Sequence, residues 1–529
     1  MNVKKSWKLK LSTLDKRIEG FKSGYRQNLA ILGLDTEEIS YLLDNYLIEN
    51  KYNDFIYIRV SVNYKDSKDF FKDIALSFFS EYSGKIESLD YFLLTLENNL
   101  PNTVNFIKNA LKKNNITFFD AVELLDKIVN ETNKKYIFLL ENFTDIDDIF
   151  NSWYQAFAKF IILQRNCMIV LTSSDILKAE NILANELNLL FGNFEKIYID
   201  NINFIDKYLY FKSCLPSDIS EFAILFFVNI LGNNLIYYDL ISDIIKNNYK
   251  SSEEVDSLTR ILEEVLYRKD GYFYQKYIKK IEFLREKFMD YYNVIKVLLS
   301  ISGGYIRKSE LVSLNIYDSK TLKSKLDRLN RFNYIINLGN IYKISDHLFS
   351  FWLLNIFRVN IMPLSLQMKY FFWRENLKKE INNFKDKFYR DKVEKIKDLL
   401  SYFRDDIIYI NNIKYILPHI GKLKVILSDK EDLYFLIPYE KDNVFCGLKV
   451  NNTNDIDMFE FLNEANKYKQ SKKIFISTGE ISSSAKLLAK NYKTLAFDYN
   501  DINNLFSIYN LRTLIFEKEI IKNACVGDF

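Results

Sequence analysis

One short stretch limits the possible folds more than any other. Asn28-Leu-Ala-Ile-Leu32 has the pattern of a buried strand and runs into Gly33 and a polar turn. A helical pattern follows at once, with apolar residues at Ile39, Leu42, Leu43, Tyr46 and Leu47. Strand, glycine turn and amphipathic helix are the layout of a phosphate-binding loop. In a working loop, G-x-x-x-x-G-K-[ST] lets backbone N–H groups wrap the phosphates while the lysine neutralises charge and the hydroxyl holds magnesium. With Gly33 on the first glycine, Glu38 takes the second, Ile39 takes the lysine and Ser40 takes the hydroxyl. Asp35, Glu37 and Glu38 add carboxylates at the positive end of the helix, where a triphosphate would be repelled. The expectation is a retained scaffold with disabled chemistry.

The rest of the first 200 residues supports a parallel, doubly wound sheet. Asp54 to Val62 reads as a second strand, and Lys68 to Tyr82 as a helix with Phe70, Phe71, Ile74, Phe78 and Tyr82 on one stripe. Another helix spans 117 to 130, Tyr136 to Leu140 is a buried strand ending in Glu141-Asn142, and Ser152 to Leu163 is a helix. Cys167 to Leu171 is the next strand, followed by Thr172-Ser173-Ser174, and Glu195 to Ile199 closes the series. Glu141 supplies a carboxylate where a magnesium ligand belongs, but Asn142 stands in place of a water-positioning acid. The hydroxyls at 172 to 174 allow two readings, a contact to a γ-phosphate or an N-cap for a helix beginning near Asp175. A Lys or Arg from elsewhere, such as Arg26 beside the first strand or Arg59 on the second, is a candidate to replace the missing lysine, though nothing in the sequence places it there. Residues 1 to 24 are basic and amphipathic and read as a cover for the sheet edge.

From Phe204 the pattern becomes helical, with helices from Pro216 to Leu231 and from Ile236 to Asn247 around a Gly232-Asn233-Asn234 turn. From Asp290 a helix, a Gly303-Gly304 turn, a helix at Lys308 to Leu314 and a helix at Ser319 to Leu329 precede two short strands around Gly339. This is a winged helix-turn-helix pattern. Lys320, Lys323, Lys325, Arg328 and Arg331 lie on or after its presumptive recognition helix and would give salt-dependent, weakly specific phosphate contacts. The alternative is a solvated face in a lysine-rich chain. Beyond Phe351 and Trp352, which read as core, aromatic helices reach Tyr402 and alternating strands and helices resume to Phe497.

Several of these stretches together resemble the archaeal-type ATPase family, P-loop proteins of the AAA+/STAND group. They are QNLAILG with its helix, YIFLLEN, MIVLTSS, the helical segment with GNNLIYY, and above all YKISDHLFSFWLLNIF after the wing. The resemblance covers nearly the whole chain. It implies a P-loop NTPase-like α/β domain over 1–203, a helical lid over 204–289, a winged helix over 290–345, and a helical connector with a restriction-endonuclease-like α/β domain over 346–529. In active nucleases of that last type an Asp precedes a Glu-x-Lys on the next strand. Asp432 and Lys449 match two positions here, but Gly447 stands where the Glu belongs, which should weaken magnesium binding severely.

The functional expectation is a degenerate family member acting as a regulatory or binding module with little or no hydrolysis, its partners being DNA, another protein or a second copy of itself. Two other readings stand beside it: a weak ATPase using ATP and Mg2+ in an atypical loop, and a DNA-binding protein of defence or mobile-element systems. Charge and cysteines narrow the setting. With 73 basic and 69 acidic residues the chain is near balance at +4, so any nucleic-acid surface is local. Cys167, Cys214, Cys446 and Cys525 are widely spaced, form no metal-like group with His347 or His419, and fit a reduced cytoplasmic protein. His347, with only Asp346 beside it, reads as structural. No signal-peptide core and no run of about 18 apolar residues occurs, so no membrane span is expected.

Overall fold

The computed structural model describes residues 2–33, 35–50, 54–62, 66–187, 194–199, 202–410, 413–427, 432–438, 444–468 and 472–516. The chain divides into two units, Met1–Asn201 and Ile202–Phe529. None of the helices among the described residues is long and apolar enough to cross a membrane.

The first unit runs α1 (Asn2–Lys22), β1 (Leu29–Leu32), α2 (Thr36–Asn50), β2 (Phe55–Ser61), α3 (Ser67–Ser83), α4 (Leu89–Thr95), α5 (Pro101–Ala110), α6 (Phe118–Thr132), β3 (Lys135–Glu141), α7 (Trp153–Leu163), β4 (Cys167–Ser173), α8 (Ile176–Asn181) and β5 (Glu195–Tyr198). The five strands form one parallel sheet in the order β2-β3-β4-β1-β5. Alternate residues of the central strands feed two cores. Leu29, Ile31, Ile137, Leu139, Met168 and Val170 pack against Leu14, Ile18 and Phe21 of α1 and Ile39 and Leu43 of α2. Ala30, Leu32, Phe138, Leu140, Ile169 and Leu171 face Phe70, Phe71, Ile74 and Phe78 of α3 with α5, α6 and α7. Burial on both sides explains why these strands read as continuous apolar runs. It also corrects the expectation for the N-terminal segment. From Leu14 onward α1 covers a face of the sheet, with Phe21 stacked on Phe55 at 5.3 Å between ring centroids, because its apolar stripe is wide enough to bury against a sheet.

The second unit begins with helices α9 (Phe204–Cys214), α10 (Glu221–Leu231), α11 (Leu235–Asn248), α12 (Glu254–Leu262) and α13 (Tyr272–Lys287). Next come α14 (Tyr291–Ser302), α15 (Lys308–Ser313), α16 (Ser319–Arg331) and an antiparallel hairpin of β6 (Ile335–Asn337) and β7 (Tyr342–Ile344). Helices α17 (His347–Trp352), α18 (Arg358–Asn360), α19 (Leu366–Tyr389) and α20 (Lys392–Ser401) lead to a second hairpin, β8 (Asp406–Ile410) and β9 (Ile413–Leu417). The final part is β10 (Leu423–Leu427), β11 (Leu433–Pro438), β12 (Val444–Lys449), α21 (Asp455–Ala465), β13 (Lys472–Ser477), α22 (Ser483–Asn491), β14 (Leu495–Phe497) and α23 (Tyr499–Ile508). Its sheet runs β10-β11-β12-β13-β14, antiparallel through β12 and parallel beyond it.

Local patterning predicted most of these helices and strands, but the packing joins what the sequence seemed to separate. Ile306 and Ile341, from the segment of α14 to β7, share a core with Leu399, Ile408, Leu448 and Phe506. The β6–β7 turn abuts β8. Asn340 N donates to Ile407 O at 3.0 Å and Tyr409 N to Leu338 O at 3.2 Å. A Cβ at Gly339, whose φ is +109°, would stand 2.9 Å from the Ile407 carbonyl carbon. Arg307 cements the same junction through two parallel bonds to Asp406, each 2.7 Å, with Tyr509 O–H donating to Asp406 at 2.8 Å.

Candidate functional site

Gly33, Glu141 and Thr172 lie at the carboxyl ends of β1, β3 and β4, where open α/β sheets hold ligands. Gly33 N donates to Ser173 O at 3.2 Å, and a Cβ at 33 would come within 3.2 Å of Ile199 Cβ and 3.3 Å of Ile39 Cγ1. Only three residues separate β1 from α2, and the second of them, Leu34, lies outside the described residues. Thr36 and Glu37, which would be loop residues in a phosphate-binding motif, are already helical. The Asp35 carboxylate accepts from Glu37 N at 2.9 Å and Glu38 N at 3.4 Å, and the Asp35 carbonyl accepts from Ile39 N at 3.1 Å. The amides that would face a phosphate are thus already bonded to Asp35.

The motif positions then fall where helix geometry puts them. Ile39 is 1% exposed and belongs to the core beneath α1. Ser40 is the fifth residue of α2 and half-buried. The start of α2 at Thr36 takes two positions of the wrapping segment into the helix, and the lysine position is an isoleucine.

Neither arginine replaces that lysine. Arg59 donates to Glu141 Oε1 from Nε at 3.0 Å and Nη2 at 2.7 Å and also pairs with Asp44, so Glu141 is held by a guanidinium. Arg26 donates to the Ile161 carbonyl at 2.6 Å and to that of Gln164, at the end of α7, and burial lowers its pKa. Thr172 Oγ1 accepts from Asn142 N at 3.3 Å, with Asn142 in the left-handed region at φ 56°. The cap of α8 is Asp175 itself, whose carboxylate accepts from Lys178 N at 2.9 Å. Sequence reasoning named Ser173 but missed Thr144, Asp145, Asp147 and Lys178. Thr144 and Ser173 share a 2.9 Å hydroxyl contact, Lys178 Nζ pairs with Asp147 at 3.1 Å, and burial raises the Asp145 carboxyl to about 6. The acid run Asp145-Ile-Asp-Asp was the available signal.

On α16, Lys320, Lys323 and Arg331 are exposed. Arg328 is not part of that face. It donates to the Lys287 carbonyl at 2.7 Å and lies over the Phe288 ring at 4.3 Å, while Lys325 pairs with Asp290. Both are set by the helix period, which turns 325 and 328 toward α13 when Leu322, Leu326 and Leu329 face the core.

In the C-terminal sheet, Asp432 and Lys449 do meet. Lys449 Nζ lies 2.5 Å from Asp432 Oδ1 and 3.4 Å from Asp457 Oδ1, with Lys449 only 7% exposed. A lysine ammonium thus sits between two carboxylates. Gly447 points into the core, where a Cβ would stand 2.8 Å from Phe461 Cε2 and 2.9 Å from Phe475 Cδ2. No glutamate could occupy it without repacking. Among the described residues no group of three or more His, Cys, Asp or Glu side chains could hold a metal ion.

No protein-family model matches the chain, and no curated protein matches it. Solved structures of archaeal ATPases are similar to it at low identity. The Walker-type ATPase of Pyrococcus abyssi shares 17% identity over 65% of this chain and 94% of its own, with a TM-score of 0.46. The Aeropyrum pernix ORC2 protein, in ADPNP-ADP complexes, shares 8% over 70% and 93%, with a TM-score of 0.40. CDC6P from Pyrobaculum aerophilum shares 10% over 70% and 94%, with a TM-score of 0.36.

Proposed function

We propose that this chain is a binding and regulatory module whose P-loop-type unit serves as scaffold and hydrolyses little or no nucleotide. One observation carries the reading. The Asp35 carboxylate already occupies the first amides of α2, while the position of the phosphate-binding lysine is an isoleucine buried in the core. A γ-phosphate at that helix end would meet a carboxylate without a facing ammonium, the reverse of what phosphoryl transfer requires. The Lys449 ammonium between Asp432 and Asp457 supports the same view of the C-terminal sheet, as a nuclease-like fold without magnesium chemistry.

Calorimetric titration of the whole chain with ATP and Mg2+, with ADP measured in the same tube, tests this. The expected result is no heat at millimolar ATP and no ADP. Binding tighter than about 100 µM, near −5.5 kcal/mol, together with ADP formation would establish the weak-ATPase reading instead.

A second reading rests on a separate observation. Lys320, Lys323 and Arg331 remain exposed on α16, so residues 290–345 act as a winged helix that touches DNA phosphates through this helix alone. Its β6–β7 turn is already paired with β8. Affinity for a random duplex should fall steeply with salt, with a slope matching about two or three phosphate contacts.

A further inference from the structure

The positive charge of the chain is concentrated in one part of it. Between residues 272 and 331, from the start of α13 to the end of α16, thirteen basic residues stand against six acidic ones, a net +7 where the whole chain carries +4. Two large apolar side chains are exposed in the middle of this stretch, at the corner where α13 gives way to α14. Met289 is wholly exposed and Tyr292 is 71% exposed. The corner lies along one side of α16. Arg328 of that helix donates to the Lys287 carbonyl at 2.7 Å and covers the Phe288 ring, while Lys325 pairs with Asp290, which also accepts from the Tyr317 O–H. Phe288 and Asp290 thus anchor the turn and leave Met289, between them, in solvent.

Cations border the two exposed side chains on three helices. Arg285 and Lys287 are exposed at the end of α13, Lys296 lies one turn beyond Tyr292 on α14, and Lys320 and Lys323 are exposed on α16. Acids are present too. Glu282 and Glu286 are exposed on α13 and Asp327 on α16, while Asp318 caps α16 and Asp290 is held by Lys325. Tyr292 is itself supported. The Tyr291 ring packs against it at 4.4 Å between centroids and is in turn covered by the Arg285 guanidinium at 5.1 Å. A tyrosine held in this way loses little conformational entropy on binding.

A positive surface that displays a thioether and an aromatic ring suits an anionic polymer with flat apolar faces, which is a nucleic-acid strand. In a duplex each base is covered above and below by its neighbours, so a ring on a protein surface stacks only where a base is unpaired. We propose that Met289 and Tyr292 take an unpaired base of DNA, and that the preferred partner is a duplex with a single-stranded tail. The duplex phosphates lie along α16 and the first unpaired base rests on the α13–α14 corner. The proposal depends on the reading of α16 as a phosphate-contacting helix and adds to it the class of DNA.

The test is fluorescence anisotropy of the full chain at low salt with three DNAs of one sequence: a blunt duplex, the same duplex with a single-stranded tail, and the tail strand alone. The tailed duplex should bind at least about fivefold tighter than the blunt one, the effect of one stacked base, and tighter than the tail strand alone. 2-Aminopurine at the first unpaired position should lose fluorescence on binding. Tyr292→Ala should bring the ratio of tailed to blunt affinity to about one and abolish the quenching. Tyr292→Phe, which keeps the ring, should retain both, and Met289→Ala should lower the ratio part of the way. The ratio is read within one variant, so a loss of folded protein does not mimic the result. Binding to none of the three DNAs would overturn the reading of α16 together with this proposal. Blunt and tailed duplexes bound alike, a tail strand bound as tightly as the tailed duplex, or a Tyr292→Ala chain that keeps the preference or the quenching would overturn this proposal alone.

Discussion

Restoring the missing lysine is the obvious way to revive the loop at Gly33, and the structure predicts that it will damage the protein instead. Ile39 is 1% exposed among Leu14, Ile18, Ile31 and Leu43, so Ile39→Lys places an amine in an apolar core. A lysine with an aqueous pKa near 10.4 falls to roughly 6 when fully buried, so folding at pH 7 must strip its proton. At about 1.4 kcal/mol per pH unit this costs roughly 4–5 kcal/mol. That is comparable with the whole stability of many domains, about 5–15 kcal/mol. The sign follows from linkage. The folded-state pKa is depressed, so the penalty is absent above about pH 10.4 and grows as pH falls toward the folded value. Hydrogen-exchange mass spectrometry of peptides spanning β1 and α2 reads this directly, because those amides exchange through opening of the first unit. Their protection should drop by several kcal/mol at pH 7, and the difference from the parent should shrink by about 3 kcal/mol between pH 7 and pH 9. An Ile39→Lys chain that keeps parental protection at pH 7 and gains ATP binding would refute the reasoning, since it would mean that the side chain can reach the loop.

Asp406→Asn removes the charge-assisted bonds from Arg307 and Tyr509 while Arg307 keeps Glu310 at 2.9 Å, and should destabilise the second unit by about 1.5–3 kcal/mol in urea denaturation. Burial alone would raise the Asp406 carboxyl, but hydrogen bonds from Arg307 and Tyr509 and the arginine charge bring it below its ordinary value. Its contribution is therefore present above the unfolded pKa near 3.9 and lost only as pH falls below that, which an acid titration of parent and variant will show. Gly447→Ala should cost about 1–3 kcal/mol through overpacking against Phe461 and Phe475, and Gly447→Glu should yield no magnesium-dependent nicking of plasmid DNA. Lys320→Glu with Lys323→Glu should abolish any salt-sensitive duplex binding in fluorescence anisotropy without lowering Tm, whereas Arg328→Ala should lower Tm, since its guanidinium is spent on Phe288 and the Lys287 carbonyl.

How far the fold was legible follows from where its information lies. Strands such as Tyr136 to Leu140 declared themselves because burial on both faces leaves no polar residue in the run, and α3 did so because Phe70, Phe71, Ile74 and Phe78 repeat at the helical period. Helices α4 and α5 and strands β8 to β10 were not read from the sequence. On β8 and β9, Ile407, Tyr409, Ile413 and Ile416 are all partly to well exposed, so apolar residues occupy the outward face and alternation is erased. The candidate sites were legible as residue types and not as roles. Glu141 was visible as a strand-end carboxylate, but its capture by Arg59 joins positions 82 residues apart.

By itself the sequence determined the order of strands and helices, the parallel sheet of the first unit and the absence of a loop lysine, because each depends on neighbours a few residues apart. Tertiary structure alone decided what those residues do. It turned Ile39 into the core, closed α2 with Asp35, made position 447 too tight for a glutamate, and set Lys449 between two carboxylates. Burial, clashes and like-charge repulsion are properties of three-dimensional neighbours, and a periodicity read along the chain contains no term for them.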